Sequence, residues 1–209
     1  GIQIFETNEK ILAEWQKKYE HVIIDEFQDN NYLQTLFAKK LTPKGHITIV
    51  GDEDQCVFTF QGANPKNFEN FKIHYEKYHP EDIILKTNYR STKNIVEKSQ
   101  LLLDVQKNRQ KKELITNNEL GSNVRVCEFL TEKNQFEWIR NEISERLFMK
   151  TRNLVQKNNI AVLFRTNKQK KRFEQSLTDE LKGIEILTVH KSKGKEYSTV
   201  FIPNVMDGN

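Results

Sequence analysis

Two adjacent carboxylates, Asp25 and Glu26, directly follow the apolar run Val22-Ile23-Ile24. A short unbroken apolar run is typical of a strand buried on both faces of a parallel sheet, and such sheets bind ligands beyond the carboxyl ends of their strands. Magnesium prefers one or two carboxylates together with phosphate oxygens and water, so one acid can position the metal while its neighbour polarises an attacking water. Because acids also cap helices, the pair alone leaves phosphate chemistry and a simple capped turn equally open.

Three later segments repeat this arrangement of polar side chains after an apolar run. They are Gly51-Asp52-Glu53-Asp54-Gln55 after residues 47–50, Asn88-Tyr89-Arg90-Ser91 after residues 83–85, and Thr188-Val189-His190-Lys191-Ser192-Lys193-Gly194-Lys195-Glu196 after residues 184–187. Four such segments in this order are far beyond coincidence. The set closely resembles the UvrD/Rep/PcrA family of superfamily-one DNA helicases: DEFQD resembles its Walker B motif, GDEDQ its glutamine motif, NYRS its arginine motif and TVHKSKGKE its late DNA- and nucleotide-contacting motif. The resemblance extends over about residues 11–202.

The resemblance implies ATP and Mg²⁺ as ligands and gives roles to five residues of the first three motifs. Asp25 is expected to bind Mg²⁺ through water, and Glu26 to orient or deprotonate the attacking water. Gln55 is expected to sense the γ-phosphate. Arg90 is expected to reach the γ-phosphate and stabilise the charge that develops during transfer, and Tyr89 to stack on adenine.

The resemblance also implies contacts with ribose and with DNA. Glu196 is expected to accept a hydrogen bond from the ribose, while Thr188 and His190 stand where the family contacts the DNA strand or links it to ATP. Phe58 and Phe60 stand where the family usually has tyrosine and tryptophan. Because phenylalanine keeps a π-face, Phe60 is the candidate for base stacking, which is worth about 1–3 kcal/mol per base. Outside the motifs, a packed aromatic and an ordinary histidine would be the preferred interpretations of Tyr89 and His190.

The chain departs from the family pattern at several points. Gln61 stands where arginine is common, which removes a fixed charge, and Lys195 stands where leucine is common and is expected to be exposed. The phosphate-binding pattern G-x-x-x-x-G-K-[ST] occurs nowhere, and the family's closing arginine motif would lie beyond Asn209. Only about twenty residues separate Phe164 from Thr188, where larger relatives insert a helical accessory subdomain. We therefore expect an excised or truncated piece of a longer helicase.

Composition is compatible with this interpretation. The chain has 209 residues, of which 30% are charged, with a net charge of +4 and a mean hydropathy of -0.73. Because it has neither an apolar run of about 20 residues nor a secretory signal pattern, we expect a cytoplasmic protein without membrane contact. Cys56 and Cys127 lie far apart in sequence, so neither a disulfide nor a zinc site is expected, and both are interpreted as buried or half-buried.

Alternating strand and helix patterns predict an α/β fold, and the resemblance implies RecA-like (P-loop NTPase-type) lobes with mainly parallel sheets flanked by helices. Residues 1–81 are expected to form the C-terminal part of the first lobe and residues 82–209 most of the second, without the accessory insertion. Ser91 or Thr92 is the expected N-cap of a helix, and residues 105–122 are expected to form a mobile connection. Strands are predicted at residues 22–24, 47–50, 83–85, 124–130, 160–164, 184–187 and 199–202.

Three functional hypotheses follow. In the first, the parent protein is an ATP-dependent DNA helicase that moves 3′ to 5′ on single-stranded DNA and on junctions with single-stranded tails, while this piece alone is inactive. In the second, the chain is a non-hydrolysing module that binds DNA or a protein on a helicase scaffold. In the third and weakest, Asp25, Glu26, Asp52 and Asp54 form a two-metal nuclease site, which would leave the tyrosine-arginine motif without a role.

Overall fold

The structure is a computed structural model that describes residues 2–56, 66–105, 112–148 and 159–205. The chain divides into two compact units, residues 1–124 and residues 125–209. Each unit contains parallel strands and helices, which confirms the α/β class. The division into RecA-like lobes at residue 81 stays a prediction.

The first unit is built around two short parallel strands. Strand β1 (Val22–Ile24) pairs with β2 (Ile47–Ile49) so that Val22 lies opposite Ile47 and Ile24 lies opposite Ile49. Among the described residues, single 3-10 turns lie at Phe27–Asp29, Glu53–Gln55 and Glu76–Tyr78. The helices and strands of this unit are α1 (Ile2–Thr7), α2 (Glu9–Lys18), β1 (Val22–Ile24), α3 (Tyr32–Leu41), β2 (Ile47–Ile49), α4 (Asn67–Tyr75) and α5 (Lys93–Asp104).

Local sequence signals set the helix starts beside the sheet. The Asn8 side chain accepts a hydrogen bond from the N–H of Ile11 and caps α2. At the start of α3, Asn31 and Gln34 form a reciprocal capping box, which satisfies two N–H groups that the helix leaves unpaired. Helix α3 therefore begins a few residues after the acids that follow β1.

An aromatic core fixes the turn that follows β1. Phe27, the first residue of that turn, is buried and packs edge-on against Phe68 and Phe71 of α4. Tyr75 adds a further ring and donates or accepts a hydrogen bond with the Thr42 hydroxyl at 2.6 Å. The same core holds the inner side chains of both strands, Ile24, Ile47 and Ile49. The packing of Phe27 in this core thus holds the residues on either side of it in place.

The second unit contains a three-stranded parallel sheet in which β3 (Ile160–Phe164) lies between β4 (Glu185–Thr188) and β5 (Thr199–Phe201). Central strand β3 has buried side chains at four of its five positions, as expected for a strand with neighbours on both sides and helices on its faces. Phe136, Ile139 and Ile143 line one side of α6 (Glu132–Phe148) and pack on β3. The elements are α6 (Glu132–Phe148), β3 (Ile160–Phe164), α7 (Asn167–Gln175), β4 (Glu185–Thr188) and β5 (Thr199–Phe201).

Two strand predictions are wrong. Residues 83–85 and 124–130 form no regular strand, and Leu85 and Val126 are 79% and 91% exposed. A strand needs a neighbour to satisfy its N–H and C=O groups. Within the described residues, the first of these segments is followed only by an isolated bridge between Thr87 and Ile115. Apolar, β-branched composition is therefore insufficient here, because no described strand pairs with either segment.

Residues 112–122 are held more firmly than their sequence predicts. Thr92 occupies the N-cap position of α5 as predicted, but its side chain does not cap the helix. Instead, the N–H groups of Lys93 and Asn94 donate to the carbonyls of Glu119 and Leu120 at 3.0 and 3.1 Å. Residues 112–122 lack helix and strand, yet they are held by specific hydrogen bonds. The rest of the predicted mobile connection, residues 106–111, lies outside the described residues.

None of the helices in the described ranges combines the length and apolar composition needed to cross a bilayer. Cys56 is half-buried and Cys127 is exposed, and neither forms a disulfide. The interpretation of Cys127 as at least half-buried is therefore wrong, because the strand predicted at residues 124–130, which would contain it, does not form.

Candidate nucleotide and metal site

The carboxyl ends of β1 and β2 bring two motifs together. The N–H of Val50 donates to the Ile24 carbonyl at 2.8 Å, and the N–H of Phe27 donates to the Val50 carbonyl at 2.9 Å. These bonds continue the strand pairing past the last ladder residues. Asp25 and Glu26 are therefore held beside the start of the second motif, at the sheet edge where α/β proteins bind ligands.

Glu26 has an unusual backbone. Its φ of 51° lies in the left-handed region, which is strained for a residue with a long side chain. The Glu26 N–H donates to Oδ1 of Asp25 at 2.8 Å, and this bond helps to hold the conformation. The turn places both carboxylates on the exposed surface of the first unit.

Gln28 was not among the residues predicted to form the site, and it joins the first two motifs. Its Nε2 group donates to Oε2 of Glu26 at 2.6 Å, and its Oε1 accepts from the backbone N–H of Asp52 at 3.0 Å. The side chain is only 1% exposed. The signal in the sequence was a glutamine inside an otherwise apolar and acidic turn, and buried polar side chains require partners.

Gly51 gives Gln28 the space that it needs. A Cβ atom at Gly51 would collide with Oε1 of Gln28 and would lie 2.9 Å from the backbone nitrogen of Phe27. Glycine is therefore required here by close approach. The glutamine side chain fills the gap between the two motif loops.

Asp52 organises the glutamine motif. Its Oδ1 accepts from the N–H of Asp54 at 3.2 Å, and its Oδ2 accepts from Nε2 of Gln55 at 3.0 Å. Lys112 contributes an ammonium group whose Nζ lies 2.7 Å from Oδ1 of Asp52. Burial raises the pKa of Asp52, but the hydrogen bonds from Lys112 and Gln55, the positive charge of Lys112 and the Asp54 N–H outweigh it and leave this pKa below its usual value. The carboxylate is consequently ionised at neutral pH.

Tyr89 and Arg90 lie on a turn of the first unit that Asn88 stabilises. Oδ1 of Asn88 accepts from the N–H groups of Arg90 and Ser91 at 2.9 and 2.7 Å. Tyr89 is 81% exposed, so the packed-aromatic alternative does not hold and its ring face is accessible. Asn118 donates to the Tyr89 carbonyl at 3.0 Å and fixes the turn from its other side.

The late-motif residues lie in the second unit. Thr188 is the buried last residue of β4 and pairs with Phe164, His190 lies in the 3-10 turn Val189–Ser192, and Glu196 is exposed. Lys195 is exposed, as predicted, and its ammonium group donates to Glu185 at 2.9 Å, which raises the pKa of Lys195. Phe58, Phe60 and Gln61 lie outside the described residues.

The acid pair suits a magnesium ion held mainly by phosphate and water. In the described part of the chain, no group of three or more His, Cys, Asp or Glu side chains is arranged to hold a metal. Mg²⁺ commonly uses only one or two carboxylates when phosphate supplies further oxygens. Two exposed neighbouring carboxylates at a strand end fit that mode and do not fit a fully protein-built metal cage.

Two protein-family models cover most of the chain. The UvrD/REP helicase N-terminal domain matches residues 1–76, and the UvrD-like helicase C-terminal domain matches residues 83–181. The chain belongs to the UvrD/REP helicase family. The predicted resemblance is thereby confirmed, and the matched domains place the GDEDQ and NYRS motifs in different halves of the family pattern.

Curated relatives agree with this family. A probable DNA helicase II homolog of Mycoplasma capricolum is 33% identical over 85% of this chain and 24% of its own length. Proteins named ATP-dependent DNA helicase PcrA from Leuconostoc citreum and Staphylococcus aureus are 31% and 33% identical, in each case over 84% of this chain and 23% of their own length. The chain thus spans about a quarter of the length of these relatives.

Proposed function

We propose that the chain is part of an ATP-dependent DNA helicase that moves 3′ to 5′ along single-stranded DNA. DNA stimulates its ATP hydrolysis, and its substrates are junctions with single-stranded tails that arise in repair, replication or recombination. The observation that carries the proposal is the polar bridge from Glu26 through Gln28 to Asp52 at the ends of two parallel strands. Family membership and the names of the relatives support the same activity. The polarity is based on the resemblance alone.

The acids of the first motif prepare the attack on the γ-phosphate. Asp25 would hold Mg²⁺ through water, and the bound metal would supply positive charge against the phosphate oxygens. Glu26 orients the attacking water and accepts its proton at the carboxylate. Gln28 donates to Oε2 of Glu26, which fixes the direction of the carboxylate.

Residues of the next two motifs recognise the nucleotide. Gln55 contacts the γ-phosphate through its amide, for which it exchanges or shares its present bond to Asp52. Arg90 stabilises the charge on the transferred phosphoryl group, because its planar cation can donate two parallel hydrogen bonds. Tyr89 stacks its accessible ring on adenine.

DNA contacts couple hydrolysis to movement. Phe58 and Phe60 contact the bases, with Phe60 stacking on one of them, while Thr188 and His190 contact the strand or relay its presence to the nucleotide. Glu196 accepts a hydrogen bond from the ribose. In this proposal, residues 1–81 belong to the first RecA-like lobe and residues 82–209 to the second.

The chain by itself is proposed to be catalytically inactive. Its sequence lacks the lysine-containing loop that holds the β- and γ-phosphates in related enzymes, and it spans about a quarter of its relatives' length. The same missing loop favours the second candidate, a non-hydrolysing module that binds DNA or a protein.

ATP hydrolysis separates the two candidates. The rate is measured with and without single-stranded DNA, for this chain and for the full-length polypeptide that contains it, under identical magnesium and salt. We expect a silent chain and a DNA-stimulated full-length protein. Hydrolysis by the chain alone would contradict its assignment as an incomplete enzyme, and silence in both proteins would favour the binding module. Unwinding of duplexes with a 3′ or a 5′ tail then tests polarity, and only the 3′-tailed duplex should open.

A further inference from the structure

We propose that Lys112 is a positioning residue that holds the glutamine motif and the tyrosine-arginine motif in register for ATP hydrolysis. The inference rests on the proposed function, because it concerns how two nucleotide-contacting motifs are kept together. Lys112 lies outside all four sequence motifs. Its proposed role is inferred only from its contacts in the structure.

Lys112 is surrounded by the three acids of the glutamine motif. Its Nζ lies 2.7 Å from Asp52, 3.7 Å from Glu53 and 3.7 Å from Asp54. The Lys112 side chain is only 18% exposed, so this is not a solvent-separated surface pair. Three carboxylates close together repel one another, and a shared ammonium group offsets that repulsion.

The carboxylate that Lys112 contacts most closely also holds Gln55. One oxygen of Asp52 accepts from Lys112, and the other accepts from Nε2 of Gln55 at 3.0 Å. The Asp52 backbone is in turn tied to Glu26 through Gln28. Movement of the Asp52 carboxylate would therefore displace the side chain of Gln55, the predicted γ-phosphate sensor.

The chain that follows Lys112, residues 113–118, runs to the tyrosine-arginine turn. Ile115 exchanges backbone hydrogen bonds with both neighbours of Thr87: its N–H donates to Lys86 at 2.9 Å, and its carbonyl accepts from Asn88 at 2.7 Å. Three residues further on, Asn118 donates to the carbonyl of Tyr89 at 3.0 Å. Both motifs lie in the same compact unit, and this short run of chain connects them.

The backbone of Lys112 also forms a hydrogen bond, with a side chain of α5. The Nε2 group of Gln100 on α5 donates to the Lys112 carbonyl at 3.4 Å. The backbone that carries the ammonium group is therefore linked to α5. Such a contact can set the distance between two motifs, and misplacement of reacting groups by about 1 Å can cost about a hundredfold in rate.

The test compares Lys112→Met with Lys112→Arg in the full-length polypeptide. Methionine keeps much of the side-chain volume and loses the charge, whereas arginine keeps the charge. The matched control is Lys98→Met, which removes an exposed lysine whose Nζ lies 2.9 Å from Glu97. For each variant, kcat and KM for ATP are measured at saturating single-stranded DNA, together with DNA affinity and the unfolding midpoint.

We expect Lys112→Met to lower kcat by about 10- to 100-fold, with KM and DNA affinity near the parental values. Lys112→Arg should recover most of the rate, and Lys98→Met should match the parent. Unchanged kcat in Lys112→Met would overturn the inference. Equal losses in Lys112→Met and Lys112→Arg would also overturn it, because the charge would then not be the cause.

A second variant covers the case in which Lys112→Met does not fold. Asp52→Asn removes the opposite charge while keeping the shape, and it should give the same selective fall in kcat. The double variant should lose little more than Asp52→Asn alone, because Asp52→Asn already removes the charge with which Lys112 pairs most closely. Additive losses would overturn the inference. An inactive parent would instead mean that the proposed function itself had failed, and the inference with it.

Discussion

Gln28 donates a hydrogen bond from Nε2 to Oε2 of Glu26 at 2.6 Å. The acceptor is the side chain proposed to act on the attacking water, and the donor is buried and also holds the backbone of Asp52. The direction of the Glu26 carboxylate is therefore set by the protein before a nucleotide binds. Preorganisation of this kind lowers the reorganisation that accompanies reaction.

Glu26→Gln in the full-length protein should bind ATP normally and lose at least about a hundredfold in kcat, because an amide keeps the shape of the carboxylate but cannot accept the proton. ATP binding is measured by fluorescent-nucleotide titration and turnover by phosphate release. Glu14→Gln, on the exposed surface of α2, is the control and should behave as the parent. A Glu26→Gln variant that hydrolyses ATP at the parental rate would contradict the assignment.

Gln28→Met should reduce both stability and turnover. Methionine fills a similar volume but forms neither hydrogen bond, and the unpaired Asp52 N–H should lower the free energy of unfolding by about 1–3 kcal/mol. In the full-length protein, kcat should also fall because Glu26 loses its orienting donor. Urea unfolding and phosphate release measure the two effects. Gln3→Met, at an exposed position of α1, is the control, and equal behaviour of the two variants would argue against the bridge.

Gly51→Ala should resemble the loss of Gln28. The added methyl group would collide with Oε1 of Gln28 and press on the backbone of Phe27, and overpacking of this kind typically costs about 1–3 kcal/mol. The unfolding midpoint and kcat of the full-length variant are measured beside those of Gln28→Met. If Gly51→Ala leaves both quantities unchanged, the close approach is not needed for function.

Arg90→Ala should impair turnover far more than DNA binding. Loss of an arginine that stabilises a transferred phosphoryl group typically costs about a thousandfold or more in kcat. Hydrolysis rates and anisotropy with labelled single-stranded DNA give the two quantities. Lys93→Ala removes a nearby exposed cation at the start of α5 and should leave kcat unchanged. A parallel loss of DNA affinity and rate in Arg90→Ala would assign Arg90 to DNA binding instead.

Tyr75 should make stability fall at alkaline pH. Burial raises its pKa, the Thr42 hydroxyl lowers it, and Tyr78 raises it further, so the folded value lies above the unfolded value of about 10. The folded state therefore favours the protonated phenol. This contribution is fully present below pH 10 and is lost as pH rises through the folded pKa.

Tyr75→Phe tests this dependence. It removes the 2.6 Å bond to Thr42 and should cost about 1 kcal/mol at pH 7, while making the alkaline fall in stability shallower. Urea midpoints between pH 7 and pH 11 measure both effects. Tyr32→Phe is the control, because Tyr32 is exposed. An alkaline fall that is as steep in Tyr75→Phe as in the parent would assign it to other groups.

Much of the framework was predictable from the sequence because it depends on local patterns. The apolar runs at residues 22–24 and 160–164 form strands as predicted, since their neighbours along the chain are strands of the same sheets. The same rule failed at residues 83–85 and 124–130. Those segments also contain apolar residues, but strand formation depends on a partner strand, which the sequence of a single segment does not reveal.

The site was predictable only where the residues that act together are neighbours in the sequence. Asp25 and Glu26 are neighbours, so their pairing could be predicted from the sequence. Gln28 and Lys112 were missed because their importance arises from contacts with Asp52, which is 24 residues from one and 60 residues from the other. Helix capping by Asn31 and Gln34 involves only three residues of separation and follows known rules.

Because Glu26 has a left-handed backbone, a substitution that stabilises the fold at this position would abolish the proposed activity. Glycine adopts this conformation without the steric cost that a glutamate side chain carries, so Glu26→Gly would relieve strain in the turn. It would also delete the proposed catalytic base. Screening variants for thermal resistance alone could therefore enrich proteins that fold better and no longer hydrolyse ATP.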